Sequence, residues 1–291
     1  WVGPSLMLYR TEEQKAKFIP RITGADDWWC TLYSEPGAGS DLAALQTRAV
    51  RDGDDYIING QKIWTSGGHL ADWGWLAART DPDAPKHKGI TMFMVNMKSP
   101  GITIRPLINI ADRHGFNEVF FEDVRVPAKQ VVGEVNRGWY HMAVALDFER
   151  SGIQAYGGGR RSVERLVALA KSRRELVERR PSVRHELADR VVEVNVGTFL
   201  AYRVATMQAR GLVPNHEASA SKLFGSEMGQ RIALTGMHLL GIHGQLRDGT
   251  KHQVIDQATS YLSSVSATIA AGTSEIQRGI IATRGLGLPR G

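Results

Sequence analysis

Five short segments hold the residue types that could bind a ligand or move a proton. SEPGAGSD at 34–41 gathers hydroxyls and carboxylates on a glycine-rich stretch, and NGQKIWTSGG at 59–68 carries Trp64 and Ser66. EVFFEDVRVP fills 118–127, LDFERSG at 146–152 brings Asp147, Glu149 and Arg150, and AGTSEIQR at 271–278 brings Thr273 and Glu275. Each alone fits a loop or helix without chemistry, and SEPGAGSD by itself is a polar turn. Several common chemistries have no counterpart: there is no GxSxG elbow, no HExxH, no CxxC and no Walker A segment. His238 and His243 are five apart, which is not the one-face spacing of paired helical zinc ligands, so no metal site is expected. GLGLPRG at 285–291 lacks a preceding strand and a following helix, which speaks against a dinucleotide loop and a nicotinamide enzyme.

The elements that would position these segments change along the chain. TEEQKAKFIP at 11–20 opens with a capping box in which Thr11 caps a helix and Gln14 reaches back, and Pro20 is expected to stop that helix or mark the turn after it. From about Trp28 to Val126 the pattern is strand-like: QTRAV, YIIN, QKIWT, ITMFMVN and EVFFEDVRV are rich in β-branched and aromatic residues. Asp52–Gly53 and Asn59–Gly60 both read as hairpin turns, because both pairs accept positive φ at low cost. Closely spaced antiparallel strands without intervening helices predict a barrel or sandwich. After Pro127 the period becomes helical: Val183, Leu187, Val191, Val194 and Thr198 share a face that Ala201 and Ala205 extend. Breaks are expected near Gly157–Gly159, Gly211–Pro214 and Gly241–Gly249. The class is therefore α+β: a remnant of an N-terminal helical domain over 1–27, an antiparallel β-barrel or sandwich over 28–132, and a C-terminal helical bundle over 133–291.

The chain has 291 residues, 42% of them hydrophobic, which is enough for a sizeable core. No run of roughly eighteen apolar residues is present to span a membrane, and no secretory signal pattern opens the chain. The single cysteine, Cys30, cannot form an internal disulfide, which fits a reducing, cytoplasmic setting. The net charge is +6, with much of the basic excess in KSRRELVERRPSVRHE at 171–186. Glutamates interrupt those arginines and no aromatic residue offers a stacking platform, so the stretch reads as solvated helices rather than a nucleic-acid surface.

In this order and at these separations the five segments, with TEEQKAKFIP before them, resemble the acyl-CoA dehydrogenase family over essentially the whole chain. The resemblance implies FAD as cofactor and an acyl-CoA substrate, oxidised to the 2,3-enoyl-CoA by α-proton abstraction and hydride transfer to flavin N5. Ser34 matches the family position at the pyrimidine edge, Ser40 the hydroxyl near the pyrophosphate, Trp64 the aromatic beside the ring system, and Ser66 the hydroxyl near N5. Ordinary core packing is the competing account of Trp64. Thr273 and Glu275 match positions that approach the cofactor, although the family often has glutamine at the latter. The family's arginine–phenylalanine–glycine segment, through which a neighbouring subunit helps hold FAD, has no clear match in 171–185.

Many members carry the catalytic glutamate directly before the glycine of the C-terminal motif, where this chain has Ala271. A minority, similar to the isovaleryl- and long-chain enzymes, carry it on the earlier helix in an LDxER-like context, where this chain has Glu149. The resemblance thus implies Glu149 as the base; the alternative is a surface ion pair with a nearby arginine. A base for a weakly acidic α-proton needs burial beside flavin and acyl chain. The backbone N–H of Ala271 keeps the family's donor to the thioester oxygen even without a side-chain carboxylate. Asp147 matches an aspartate that contacts the CoA portion, and Arg150 a largely structural arginine. The implied partners are an electron-transfer flavoprotein as acceptor and further subunits in a homo- or hetero-oligomer, dimer or tetramer. The competing reading is a non-catalytic or partner-dependent subunit of a heteromeric acyl-CoA dehydrogenase. Opening at Trp1 within a helical stretch, the chain reads as lacking much of the N-terminal helical domain, and weaker flavin retention is expected from that.

Overall fold

The computed structural model describes residues 2–9, 11–149, 152–247 and 256–289, with side chains described for all of these except 144–149. The chain divides into two compact units, Trp1–Phe148 and Glu149–Gly291.

The first unit begins with α1 (Val2–Tyr9) and α2 (Glu12–Thr23). The capping box at α2 is present, with Gln14 N donating to Thr11 Oγ1 at 3.4 Å and Thr11 N to Gln14 Oε1 at 3.2 Å. Pro20 does not stop the helix but lies inside it. The missing N–H forfeits the one bond to the Ala16 carbonyl, while the Pro20 carbonyl still accepts from Gly24 N at 2.8 Å and closes the last turn. Eight strands follow: β1 (Trp29–Leu32), β2 (Arg48–Asp52), β3 (Asp55–Lys62), β4 (Trp73–Arg79), β5 (Ile90–Asn96), β6 (Ile102–Ile108), β7 (His114–Pro127) and β8 (Val131–Val132). Then comes α3 (Gly138–Glu149).

The strands form one mixed sheet in the order β6-β7-β3-β2-β4-β5-β8, with β1 beside β4. The ladders are antiparallel as expected except at β4, which pairs in parallel with β1 and, at Arg48↔Arg79, with β2. β4 and β5 are buried along nearly their whole length, which explains their unbroken apolar sequence. Leu76, Phe93 and Val95 face the core shared with Tyr56, Ile58, Val119 and Phe121. Trp75, Met92 and Met94 face the core shared with Leu6 and Phe18 of the two helices.

Asp52–Gly53 makes the predicted hairpin, with Asp52 paired to Asp55 and Gly53 at φ 59°. Asn59–Gly60 does not. It sits within β3, where the register against β7 shifts between Ile58 and Gly60, forming a bulge. Gly60 has φ 148°, and a Cβ there would lie 2.7 Å from Thr47 Cα, so close backbone approach accounts for the glycine.

The second unit comprises α4 (Ile153–Ser172), α5 (Arg174–Arg179), α6 (Val183–Ala209), α7 (His216–Leu240), α8 (Gln257–Ser264) and α9 (Ser274–Ile280). Gly157–Gly159 does not break α4; a Cβ on Gly159 would lie 2.9 Å from Met228 Cε of α7, so the glycine serves close helix packing. The breaks after α6 and α7 fall where expected. The buried face of α6 is Val183, Leu187, Val194, Gly197, Ala201 and Val204. Val191 is 43% exposed, because two successive four-residue steps from Val183 drift off a 3.6-residue period, and Ala205 is also exposed. Among the described residues, no helix is long and apolar enough to cross a membrane.

Candidate functional site

The SEPGAGSD turn leaves β1 and is closed by reciprocal hydrogen bonds between Glu35 and Ala38, both 3.0 Å. Its anchor is a buried ion pair. Lys62, fully buried at the end of β3, donates from Nζ to Glu35 Oε1 at 2.7 Å and to Tyr33 O at 3.0 Å. The Glu35 carboxylate also accepts from Gln46 N at 2.5 Å and Thr47 N at 2.9 Å. Burial pushes the Lys62 pKa down to about 8, with the Glu35 charge pulling the other way. Burial also pushes Glu35 up, but the Lys62 charge and the hydrogen bonds outweigh it and hold the carboxyl below its ordinary value. Ser34 lies between the two Lys62 acceptors, and its carbonyl accepts from Ile63 N at 2.9 Å. The SEPGAGSD and KIWTS segments are thereby locked side by side.

Past Lys62 the chain turns sharply. Trp64 has φ 60° and is 55% exposed, meeting Phe116 edge-on at 6.0 Å. A bulky residue in the left-handed region costs about 1–3 kcal/mol, which the surroundings must offset. Buried Asn117 of β7 supplies part of that. Its carbonyl accepts from Thr65 N at 3.0 Å and its Nδ2 donates to Thr65 O at 3.0 Å. Because Thr65 O can only accept, the amide orientation is fixed, so His69 accepts at Nδ1 (3.2 Å) and His114 donates from Nε2 (2.8 Å). The two imidazoles stack at 4.0 Å. Trp64 is therefore not a buried core residue: its backbone is strained and the residue is more than half exposed.

Ser34 is half-buried, and Ser40 and Ser66 are exposed. Their hydroxyls make no hydrogen bond among the described residues, and the buried Thr65 Oγ1 also lacks one. A flat exposed indole beside uncommitted hydroxyls fits the ring system and polar edge of a flavin. A cleft of about 440 Å³, bordered by Glu35, Gly37, Thr47 and Gly60, adjoins the same turn.

In the second unit Thr273 is the N-cap of α9, its hydroxyl accepting from Ile276 N at 3.3 Å. Glu275 is exposed in the first turn, its pKa lowered by backbone N–H donation and then by Thr273. Ala271 has φ 53° and Gly272 φ 85°. Lys222 of α7 donates to Gly272 O at 2.7 Å, and Gln277 Nε2 to Ala271 O at 3.1 Å. His238 is a structural partner of Glu186, at 2.8 Å. Asp147 and Glu149 fall within the bounds of α3, but their side chains lie outside the described residues, as does the whole of Arg150.

The Lys62–Glu35 pair, the Asn117 cluster, and Lys222 with Gln277 were not legible as functional residues. The available signal was polarity in apolar positions: Lys62 follows Tyr56 and Ile58 on the inward-facing side of β3.

Residues 30–124 match the family description "Acyl-CoA dehydrogenase, middle domain", and 136–286 match "Acyl-CoA dehydrogenase, C-terminal domain". Acyl-CoA dehydrogenase FadE34 of Mycobacterium tuberculosis is 38% identical over 100% of this chain, which spans 39% of that relative's length. Acyl-CoA dehydrogenase IpdE1 of the same organism is 38% identical over 99% of this chain and 74% of its own. Among solved structures, the Tcur3481-Tcur3483 steroid ACAD superposes with a TM-score of 0.94 at 37% identity, covering 100% of this chain and 76% of the other. The ChsE4-ChsE5 complex from Mycobacterium tuberculosis superposes with a TM-score of 0.86 at 35% identity, covering 100% and 76%.

Proposed function

The chain belongs to the acyl-CoA dehydrogenase family, whose cofactor is FAD, and from that premise we propose that it oxidises an acyl-CoA thioester to the 2,3-enoyl-CoA. When bound, FAD supplies the acceptor for the hydride that leaves the substrate β-carbon. The observation that carries the proposal is Trp64, a strained and exposed indole that follows the Ile63 held by the Ser34 carbonyl, together with the hydroxyls of Ser34, Ser40 and Ser66, which are uncommitted among the described residues. Ser34 and Ser66 would hold the ring edge, Ser40 would serve the pyrophosphate and Trp64 would cover the ring and exclude water, while Thr273 and Glu275 are the C-terminal motif residues that would approach the cofactor. Glu149 takes the α-proton onto its carboxylate, since Ala271 has no side-chain group to accept it. The Ala271 N–H donates to the thioester oxygen as negative charge builds there. Asp147 contacts the CoA portion. The names of the relatives favour a lipid-derived, steroid-like acyl group. An electron-transfer flavoprotein would be the partner that accepts the electrons.

A specific observation also favours oligomerisation with a homologous subunit. On α6, Val192, Val196 and Phe199 form an outward apolar stripe, with Phe199 71% exposed. Two similar structures, the Tcur3481-Tcur3483 steroid ACAD and the ChsE4-ChsE5 complex, are each named for two proteins. In the competing reading the chain needs such a partner for activity.

The test is the visible spectrum of the purified protein with FAD, before and after anaerobic addition of acyl-CoA thioesters, alongside Glu149→Gln. Bleaching that is lost in the variant is the expected result. Bleaching retained in the variant removes Glu149 as base. A protein that binds no flavin, or bleaches only with a co-expressed homologue, favours the partner-dependent subunit.

A further inference from the structure

The loop before α9 is held by more donors than a surface turn needs. Ala271 and Gly272 are consecutive residues with positive φ, 53° and 85°, and the first is not a glycine. Lys222, half-buried on α7, sends its ammonium to Gly272 O at 2.7 Å and Ala267 O at 3.2 Å, bracketing the loop. Gln277, buried on α9, donates from Nε2 to Ala271 O at 3.1 Å and Gly272 O at 3.3 Å. A Cβ on Gly272 would lie 2.5 Å from that Nε2, so glycine is what lets the amide close in. Burial lowers the Lys222 pKa, while the charges of Glu227 and Glu275 act in the opposite direction.

At this φ an L-residue occupies the left-handed well, which is uncommon for a residue other than glycine. Gln277 clamps the Ala271 carbonyl and Lys222 the Gly272 carbonyl, which leaves the Ala271 N–H outside the clamp. Among the described residues that N–H makes no hydrogen bond. A donor held in a strained conformation and left without an acceptor is suited to a ligand oxygen.

We infer that Lys222 and Gln277 are positioning residues that fix the Ala271 N–H as the donor to the substrate's thioester oxygen. The inference rests on the reading of Ala271 as that donor. Neither side chain touches substrate; both act by clamping carbonyls of the loop.

The test uses the full chain loaded with FAD, as wild type and as Lys222→Met, Lys222→Arg and Gln277→Leu. The probes are butanoyl-, octanoyl- and hexadecanoyl-CoA labelled with carbon-13 at the thioester carbonyl. The readout is the vibrational frequency of the bound carbonyl, with kcat, KM and the thermal midpoint measured in parallel. The wild type should lower the carbonyl frequency. Lys222→Met and Gln277→Leu should lose most of that shift and reduce kcat by about 10- to 100-fold, with KM changed less than about threefold. Lys222→Arg, which keeps donors on the loop, should restore the shift. No shift in the wild type with any probe strikes the parent reading and the inference with it. A wild-type shift retained in both Lys222→Met and Gln277→Leu overturns the inference alone. So does a loss of thermal stability with the carbonyl frequency unchanged.

Discussion

Replacing Lys62 by methionine isolates the cost of a buried charge. Lys62 is 0% exposed and Glu35 7% exposed at the side chain, so neither can turn to water without opening the unit. Methionine fills the lysine stem but withdraws the ammonium from Glu35 Oε1 and Tyr33 O. Glu35 keeps the donors of Gln46 and Thr47. Removing one partner of such a pair costs about 3–5 kcal/mol, and replacing both costs far less. Lys62→Met should therefore destabilise the first unit by about that much, and Glu35→Gln in the same chain should recover most of it. The pH dependence has a fixed sign. In the wild type the Glu35 pKa is held below its ordinary value, so its stabilisation is complete above the unfolded pKa and is lost as pH falls through the folded one. In Lys62→Met burial is opposed only by the hydrogen bonds from Gln46 and Thr47, the carboxyl binds its proton more readily, and the penalty shrinks toward acid. Urea titration followed by tryptophan fluorescence measures this cleanly, because all seven tryptophans lie at or before Trp139. A penalty under about 1 kcal/mol, or an equal penalty at pH 8 and pH 5, refutes the reasoning.

Two further outcomes follow from backbone and burial. Gly60→Ala should destabilise by about 2–4 kcal/mol, combining overpacking against Thr47 with a disfavoured φ, whereas Gly53→Ala, with open space at its Cβ, should cost about 1–2 kcal/mol; equal losses in urea titration exclude the Thr47 contact as the cause. Burial lowers the His141 pKa below 6.5, with Glu134 opposing and Arg137 assisting, so its contribution is intact above 6.5 and lost as pH falls through the folded value. The first unit should accordingly lose stability between pH 7.5 and 5.5, and His141→Gln should flatten that loss; an unchanged slope in the variant assigns it to other groups.

The sequence alone carried the order of elements and the family. Periodicity marked where strands give way to helices, the Thr11–Gln14 box set the start of α2, and Asp52–Gly53 set a real hairpin, because each depends on neighbours a few residues apart. Motif order identified Ser34, Trp64 and Ala271 as candidates, since residue types at fixed separations survive in a string. What tertiary structure alone decided were the features set by distant partners. Asn59–Gly60 became a bulge because Thr47 lies 2.7 Å from where a Cβ would be, and Gly159 stayed helical because Met228 packs against it. Val191 left the buried face because the stripe follows the helix period and not a count of four. Lys62 meets Glu35 across 27 positions and Lys222 meets Gly272 across 50, and a buried cation reveals its role only where the chain brings its acceptors to it.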